Sequence, residues 1–418
     1  MTQDWREFCE KNNGKINIYG AGIYGKELAI WLKEHGLDFC NFIVTKEKDR
    51  NEIFGKSVKT IAEIDEKPES AFAIAASTKN AIQMTAELEK RGISNYSIFS
   101  DDDVEKAKAE NKYVGSYIAD NCVNVLFYHR VINLSTDPQQ LAVSVENFEE
   151  QVRYIKENYN VVRFEDDWTC LKDKSIVLTF DDGYADNYWN ALPILEKYEV
   201  PATIFVSSGN LGTANEMWWD ALESLLLLPS HRPEKIVIGT EELAFDSEEN
   251  RYESYLCAHR IMKAMSAEDR EKEIRRLASI IKPNDFPRKE FRLVDQEELR
   301  KLAESKYITI GAHTVTHSSL ACESEEEQRW EIRESKKRLE AIIGKEITVF
   351  SYPFGTRSDY TDNTCEILKE EKIKKAGIVK QGLWRDGIDE YQIPRNIVRN
   401  WNAEELARQI NRTWTIWS

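Results

Sequence analysis

Short apolar runs recur along the chain, separated by stretches with helical periodicity. Between residues 15 and 100, KINIYG, DFCNFIVT and SAFAIAAS read as buried strands, and GKELAIWLKEHG reads as an amphipathic helix closed by glycine. This alternation predicts a small doubly wound α/β unit. The next stretch, SDDDVEKAKAENK at 100–112, is charged and poor in apolar residues. It predicts a solvated connector, helical or not, with a domain boundary near residue 115. From residue 121 a second series begins. NVLFYH, SIVLTF, PATIFVSS, YITIGAH, ITVFSYPFG, AGIVK and YQIPRNIV are short β-rich runs between helix-like segments. Residues 214–300, opening NEMWWDALESLLLL, interrupt that series and predict a long, mostly helical insertion.

In the second series the chemically capable residues fall at the carboxyl ends of apolar runs. His129 follows VLFY, Asp181 and Asp182 follow IVLTF, and His313 follows ITIGA; YPFG follows VF, and Arg395 follows QIP. Parallel α/β barrels gather the loops after their strands at one face, and catalytic residues sit there. Separate segments therefore aim polar groups at one place.

The acidic pair in SIVLTFDDGYADN, residues 175–187, asks for a reason, because adjacent carboxylates repel. Asp also starts turns and caps helices, which is one answer. The other answer is chemical. The chain has 6 histidines, and GAHTVTHSSL sets His313 and His317 four residues apart. Such a pair reaches one metal if the turn between them is helix-like, and is otherwise a surface or capping pair. Two histidines and one carboxylate hold divalent metals with positions left open for water and substrate. The remaining Asp then has a role, as base for a water whose pKa a metal such as Zn²⁺ brings towards ~7. Ligand types alone do not select Zn²⁺ over Co²⁺ or Ni²⁺.

Composition narrows the partners. A chain of 418 residues exceeds one typical domain. With 73 acidic against 57 basic residues the formal charge is −16. That balance argues against nucleic acid and anionic membrane surfaces, which call for a basic footprint, but not against a neutral sugar. The N-terminal MTQDWREFCEKNNGK lacks a signal-peptide core, and no run approaches the ~18 apolar residues of a membrane span. The 7 cysteines are scattered with no CxxC pair, as reduced thiols in a cytoplasmic protein would be.

TFDDG, HTVTH and YPFG resemble the first three motifs of the polysaccharide deacetylases, the chitooligosaccharide-deacetylase-like domains of carbohydrate esterase family four. The resemblance spans residues 121–400. It implies a distorted or incomplete (β/α) barrel and metal-dependent removal of N- or O-acetyl groups from sugars. Carried over residue by residue, it makes Asp181 the general base and Asp182, His313 and His317 the metal ligands. The backbone N–H of Phe354 would line the oxyanion hole. Two positions depart from the family. The arginine usual two residues before the proline is Ser351 here, and Arg395 is the candidate replacement that orients the base. No histidine lies beyond His317, where the family's general acid usually stands. His129 resembles instead the N-terminal histidine of a permuted branch that includes biofilm poly-N-acetylglucosamine deacetylases. Strand order in a barrel is cyclic, so the first strand can refill the last strand's place. His35, His231 and His259 lie in helix-end or insertion sequence and read as solvated. Trp218 and Trp219 would either floor a sugar subsite or anchor the insertion, and the anchor is the simpler reading.

YGAGIYGKEL carries G-x-G-x-x-G at Gly20, Gly22 and Gly25, after a strand and opening a helix. That context suits a nucleotide fingerprint, yet FIVTKE offers no clear ribose-binding acid at the second strand's end. The expected organisation is a Rossmann-like domain and linker at 1–114 and a deacetylase-like barrel at 115–418. The expected function is a metal-dependent deacetylase acting on an acetylated saccharide or a nucleotide-sugar. The alternative is a degenerate barrel that only binds a glycan or a partner.

Overall fold

The structure is a computed structural model that describes residues 4–46, 48, 50–64, 70–113, 122–171, 173–229, 233–283 and 286–417. It has two compact units, Met1–Ile118 with Arg408–Ser418, and Ala119–Ala407. The expected 114/115 boundary lies outside the described residues.

The first unit runs α1 (Trp5–Lys11), β1 (Ile16–Tyr19), α2 (Ile23–Glu34), β2 (Asn41–Val44), β3 (Glu52–Ile53), β4 (Lys56–Thr60), β5 (Ala71–Ala75), α3 (Thr78–Lys90), β6 (Tyr96–Phe99) and α4 (Asp101–Glu110). Its sheet has the order β3-β4-β2-β1-β5-β6, parallel except at β3–β4. Side chains alternate across it. Ile16, Ile18, Ala71 and Ala73 pack with Trp5, Leu28, Trp31 and Val104. Tyr19, Phe72 and Ile74 pack on the other face with Ala81 and Leu88.

Two expectations change here. Residues 101–110 are not a solvated connector. Ser100 and Asp103 form a capping box that starts α4, and Val104 and Ala107 are buried. The C-terminal residues 408–418 belong to this unit and not to the barrel. The cause is a buried carboxylate: Glu27 is fully buried and accepts from Arg412 Nε at 2.8 Å, Tyr113 Oη at 3.0 Å and Asn111 Nδ2 at 3.0 Å. A buried charge needs such partners, and the chain brings its cation from the far end of the sequence.

The second unit runs β7 (Val123–Tyr128), β8 (Arg130–Val131), β9 (Ala142–Val143), α5 (Val145–Asn158), β10 (Asn160–Val161), β11 (Ser175–Phe180), α6 (Leu192–Lys197) and β12 (Ala202–Val206). The insertion follows as α7 (Trp218–Leu226), β13 (Lys235–Ile238), β14 (Glu241–Ala244), α8 (Glu248–Lys263) and α9 (Ala267–Ile281). Next come α10 (Gln296–Glu304), β15 (Ile308–Ala312), α11 (Glu325–Ile343), β16 (Val349–Ser351), α12 (Asp362–Glu370), β17 (Lys375–Val379), β18 (Ile393–Ile397) and the start of α13 (Ala403–Trp417), whose residues from Arg408 on belong to the first unit. Strands β7, β11, β12, β15, β16, β17 and β18 close a parallel barrel, with β18 and β11 both pairing β7. All seven come from the apolar runs read in the sequence. Every residue of β7, β11 and β12 is buried, as expected of strands covered on both faces. The insertion is helical apart from the antiparallel hairpin β13–β14. KIVI alternates exposed and buried, and Gly239 takes the left-handed φ of 61° that the turn requires. The surrounding charge hides that period-2 signal in the sequence.

Candidate active site at the carboxyl ends of the barrel strands

Asp181 and Asp182 stand directly after β11 in a tight turn. The Asp181 N–H donates to the Tyr128 carbonyl at 3.0 Å, so the residue before His129 is tied to the acidic pair. Asp182 has a φ of 73° and its carbonyl accepts from Ser207 N at 3.1 Å. Thr314, His317 and Phe354 are also left-handed, with φ of 63°, 54° and 59°. Side chains rarely adopt this backbone, and such strain collects where a function fixes the chain.

The structure brings Asp182, His313 and His317 together, each buried, with one ligand atom from each within 4.8 Å of the others. The path between the two histidines is not helix-like, contrary to the spacing argument. Glu331 on α11 shapes it instead, accepting from Val315 N at 2.7 Å, from Thr316 N at 3.0 Å and from the Thr316 hydroxyl. Nδ1 of His313 lies 2.7 Å from the Ser351 carbonyl, the contact that fixes a ring and frees Nε2 as a ligand. Nε2 of His313 and of His317 stand 3.5 and 3.3 Å from Oδ1 of Asp182. That oxygen is buried and has no hydrogen-bond partner among the described residues. Burial alone would raise the Asp182 carboxyl, but the facing imidazoles hold it below the usual carboxylate range. Burial brings His317 down to about 4, against the pull of Asp182. An ionised carboxylate and a neutral imidazole are the forms that bind a metal. The donor set fits a divalent cation.

Asp181 is paired to Arg395 across the barrel. Nη1 and Nη2 of Arg395 reach its two oxygens at 2.8 Å each, and Nη2 also reaches Ser351 Oγ at 2.8 Å. Arg395 thus holds both oxygens of Asp181, and Ser351, at the position where the family usually has an arginine, accepts a hydrogen bond from it. Burial works to raise Asp181, but Arg395 and His313 outweigh it and hold the carboxyl low. Gly377 on β17 leaves the room: a Cβ there would sit 2.7 Å from Cδ and Nε of Arg395.

His129 lies one residue past β7, and its carbonyl accepts from Asn187 Nδ2 at 2.9 Å. Burial lowers its pKa, while Asp182 and Asp181 oppose that shift. The Phe354 ring packs against His317 at 4.8 Å, with Lys263 Nζ 4.3 Å from its centroid. Trp218 and Trp219 are buried in the insertion's core and act as its anchor. They also reach the site: Trp219 lies 4.5 Å from the His317 ring, and Trp218 lies 6.4 Å from Phe354.

One histidine departs from its reading. His259 is half-buried rather than solvated; it packs on Trp218 at 4.7 Å, and burial takes it down to about 4. His35 is exposed at the end of α2, and His231 lies outside the described residues. The sequence reading missed Ser207, whose Oγ donates to the His313 carbonyl at 2.9 Å. It follows the apolar run of β12, so the strand-end rule that found its neighbours could have found it. Glu331 left no comparable signal, because helix carboxylates are common.

Residues 169–376 match the polysaccharide deacetylase family model. The chain is 20% identical over 249 residues to YxkH of Bacillus subtilis, covering 58% of this chain and 60% of that protein. It is 30% identical over 114 residues to the poly-β-1,6-N-acetyl-D-glucosamine N-deacetylase of Staphylococcus aureus, covering 23% and 39%. The chain therefore spans less than two thirds of the length of either relative. Among solved structures, IcaB from Ammonifex degensii is similar at 19% identity, covering 72% of this chain and 98% of that one, with a TM-score of 0.46. With the family's three motifs standing at the ends of β11, β15 and β16, the chain carries a polysaccharide deacetylase domain.

Proposed function

We propose that the barrel unit is a metal-dependent hydrolase that removes acetyl groups from an N- or O-acetylated saccharide, in surface-polysaccharide metabolism, with Zn²⁺ as its ion. The observation that carries this reading is a carboxylate held by Arg395 immediately beside a separate Asp-His-His cluster. A barrel that only bound glycans would have no need for the first carboxylate. The name of the staphylococcal relative favours an N-acetylglucosaminide as substrate. A reducing compartment suits seven cysteines that form no disulfide, and no described helix is long and apolar enough to cross a membrane.

When bound by Asp182, His313 and His317, a divalent cation supplies charge that polarises an acyl carbonyl and raises the acidity of water. Arg395 keeps Asp181 ionised and fixed in direction, so Asp181 takes the proton of the attacking water. A carboxylate with a lowered pKa is a weak base, and it matches a water made more acidic. The Phe354 N–H donates to the developing oxyanion. His129 gives the leaving nitrogen its proton, and acetate and the free amine are the products.

The decisive assay measures acetate release from a panel of N- and O-acetylated saccharides and nucleotide-sugars, with metal-loaded and chelated protein. Release that chelation abolishes is the expected result; none from any substrate by metal-loaded protein overturns the reading. Within it, Gly377→Ala is expected to push Arg395 off Asp181 and lower kcat by roughly 10²-fold, the cost of misplacing a catalytic group by about 1 Å. An unchanged kcat would mean that Arg395 does not orient the base.

The first unit we read as a structural or partner-docking module. Its fingerprint glycines have internal reasons: Gly20 has a φ of 123° and a Cβ on it would lie 2.2 Å from the Ala75 carbonyl oxygen, while one on Gly25 would lie 1.8 Å from that of Gly20. Gly22 caps α2 in open space. Asp101 already supplies an anion to the turns where phosphates bind in such folds, accepting from the Tyr24 hydroxyl and from Thr78 N at 3.1 Å. NAD and NADP are therefore expected to bind no tighter than about millimolar. A micromolar dissociation constant by calorimetry would reverse this and make the unit a cofactor domain.

A further inference from the structure

The two histidines of the Asp-His-His cluster are held in different ways. His313 has a hydrogen bond behind it, from Nδ1 to the Ser351 carbonyl. Nδ1 of His317 is buried and has no hydrogen-bond partner among the described residues. Its ring is enclosed by other rings instead: Trp219 at 4.5 Å and 61°, Phe354 at 4.8 Å and 78°, and His313 at 4.8 Å and 70°.

Of these, Trp219 is itself locked. It is buried, and its Nε1–H donates to the Tyr184 hydroxyl at 2.9 Å, which in turn donates to Asp220 Oδ2 at 2.6 Å. Tyr184 lies two residues after Asp182, and Trp219 and Asp220 are neighbours in the first turn of α7. The chain of contacts closes on itself: from Asp182 along the backbone to Tyr184, to Trp219, to His317, and back to Asp182. Turning the His317 ring means displacing a buried indole whose N–H would lose its acceptor, and burying an unsatisfied donor is costly.

We infer that Trp219, supplied by the helical insertion and fixed through Tyr184 and Asp220, is a positioning residue that sets the orientation of His317 and with it the metal affinity of the cluster. The inference rests on the metal reading above. It gives the insertion a part in the chemistry, because the ring contact stands where a hydrogen bond usually holds a ligand histidine.

The test is a Zn²⁺ titration of the purified full chain against a competing chelator, with the visible spectrum of the Co²⁺ form as a second reading. Trp219→Leu is expected to bind roughly 10–100-fold more weakly, the usual cost of losing a residue that orients a ligand, and to shift the Co²⁺ bands. Trp219→Phe, which keeps a ring against His317, should recover most of that loss. Tyr184→Phe releases the indole N–H and should cost roughly 3–10-fold, the net worth of one hydrogen bond. Wild-type affinity and an unaltered Co²⁺ spectrum in Trp219→Leu overturn the inference. If that variant does not fold, wild-type affinity in Tyr184→Phe overturns it. A wild-type chain that binds no Zn²⁺ or Co²⁺ removes the metal reading itself, which is a different failure.

Discussion

Purified His313→Ala and His317→Ala proteins are expected to lose bound metal and acetate release together. Each removes one of the three buried residues, with side-chain atoms within 4.8 Å of one another, that are proposed to hold the metal, and the two that remain leave the Asp182 carboxylate buried with little to compensate it. Elemental analysis reads the metal directly, so the result does not depend on having found the right sugar. Full occupancy in both variants would sink the assignment. Asp181→Asn is the contrast. It keeps the three proposed ligands and removes only the proposed proton acceptor, so metal content should stay at the wild-type level while the rate falls roughly 10²–10⁴-fold. Loss of metal in Asp181→Asn would mean that the two adjacent carboxylates share one role.

The second large effect concerns His129. Amide cleavage needs the leaving amine protonated, because an amine expelled as an anion is a prohibitively poor leaving group. With His129 as the acid, His129→Ala is expected to cost roughly 10²–10⁴-fold on an N-acetyl substrate. On an activated aryl acetate, whose leaving group departs without a proton, the loss should be far smaller. Metal content should not change, which separates this role from that of His313 and His317. Equal losses on both substrates would assign His129 to structure or to oxyanion stabilisation. No loss on either would mean that another residue supplies the proton, and that the first strand does not take over the last strand's part.

The carboxyl rim of the barrel was legible in the sequence because strands write their ends plainly. A strand buried on both faces is a continuous apolar run, so the polar residues after it mark the rim, where His129, Asp181, Asp182 and His313 stand; Arg395, read as following its run, lies inside β18 instead. Which of them would meet was decided only in three dimensions. Arg395 reaches Asp181 across 214 residues of sequence, through a gap that Gly377 leaves on a third strand. The HxxxH spacing pointed to two histidines that the fold does bring beside Asp182, but Glu331 and two left-handed residues bend that loop, not a helical turn. The insertion's contacts with the site were only partly visible. Trp219 stood out as a sugar-subsite floor or an anchor, while nothing marked Asp220; folding places them against His317 and Tyr184. In the first unit β1, β2, β5 and α2 were readable by the same kind of pattern, whereas β3, β4, β6 and the membership of 408–418 were not. That membership follows from a buried carboxylate at Glu27 whose cation is Arg412, and pattern along a chain reports which face a residue shows, not which distant charge will neutralise it.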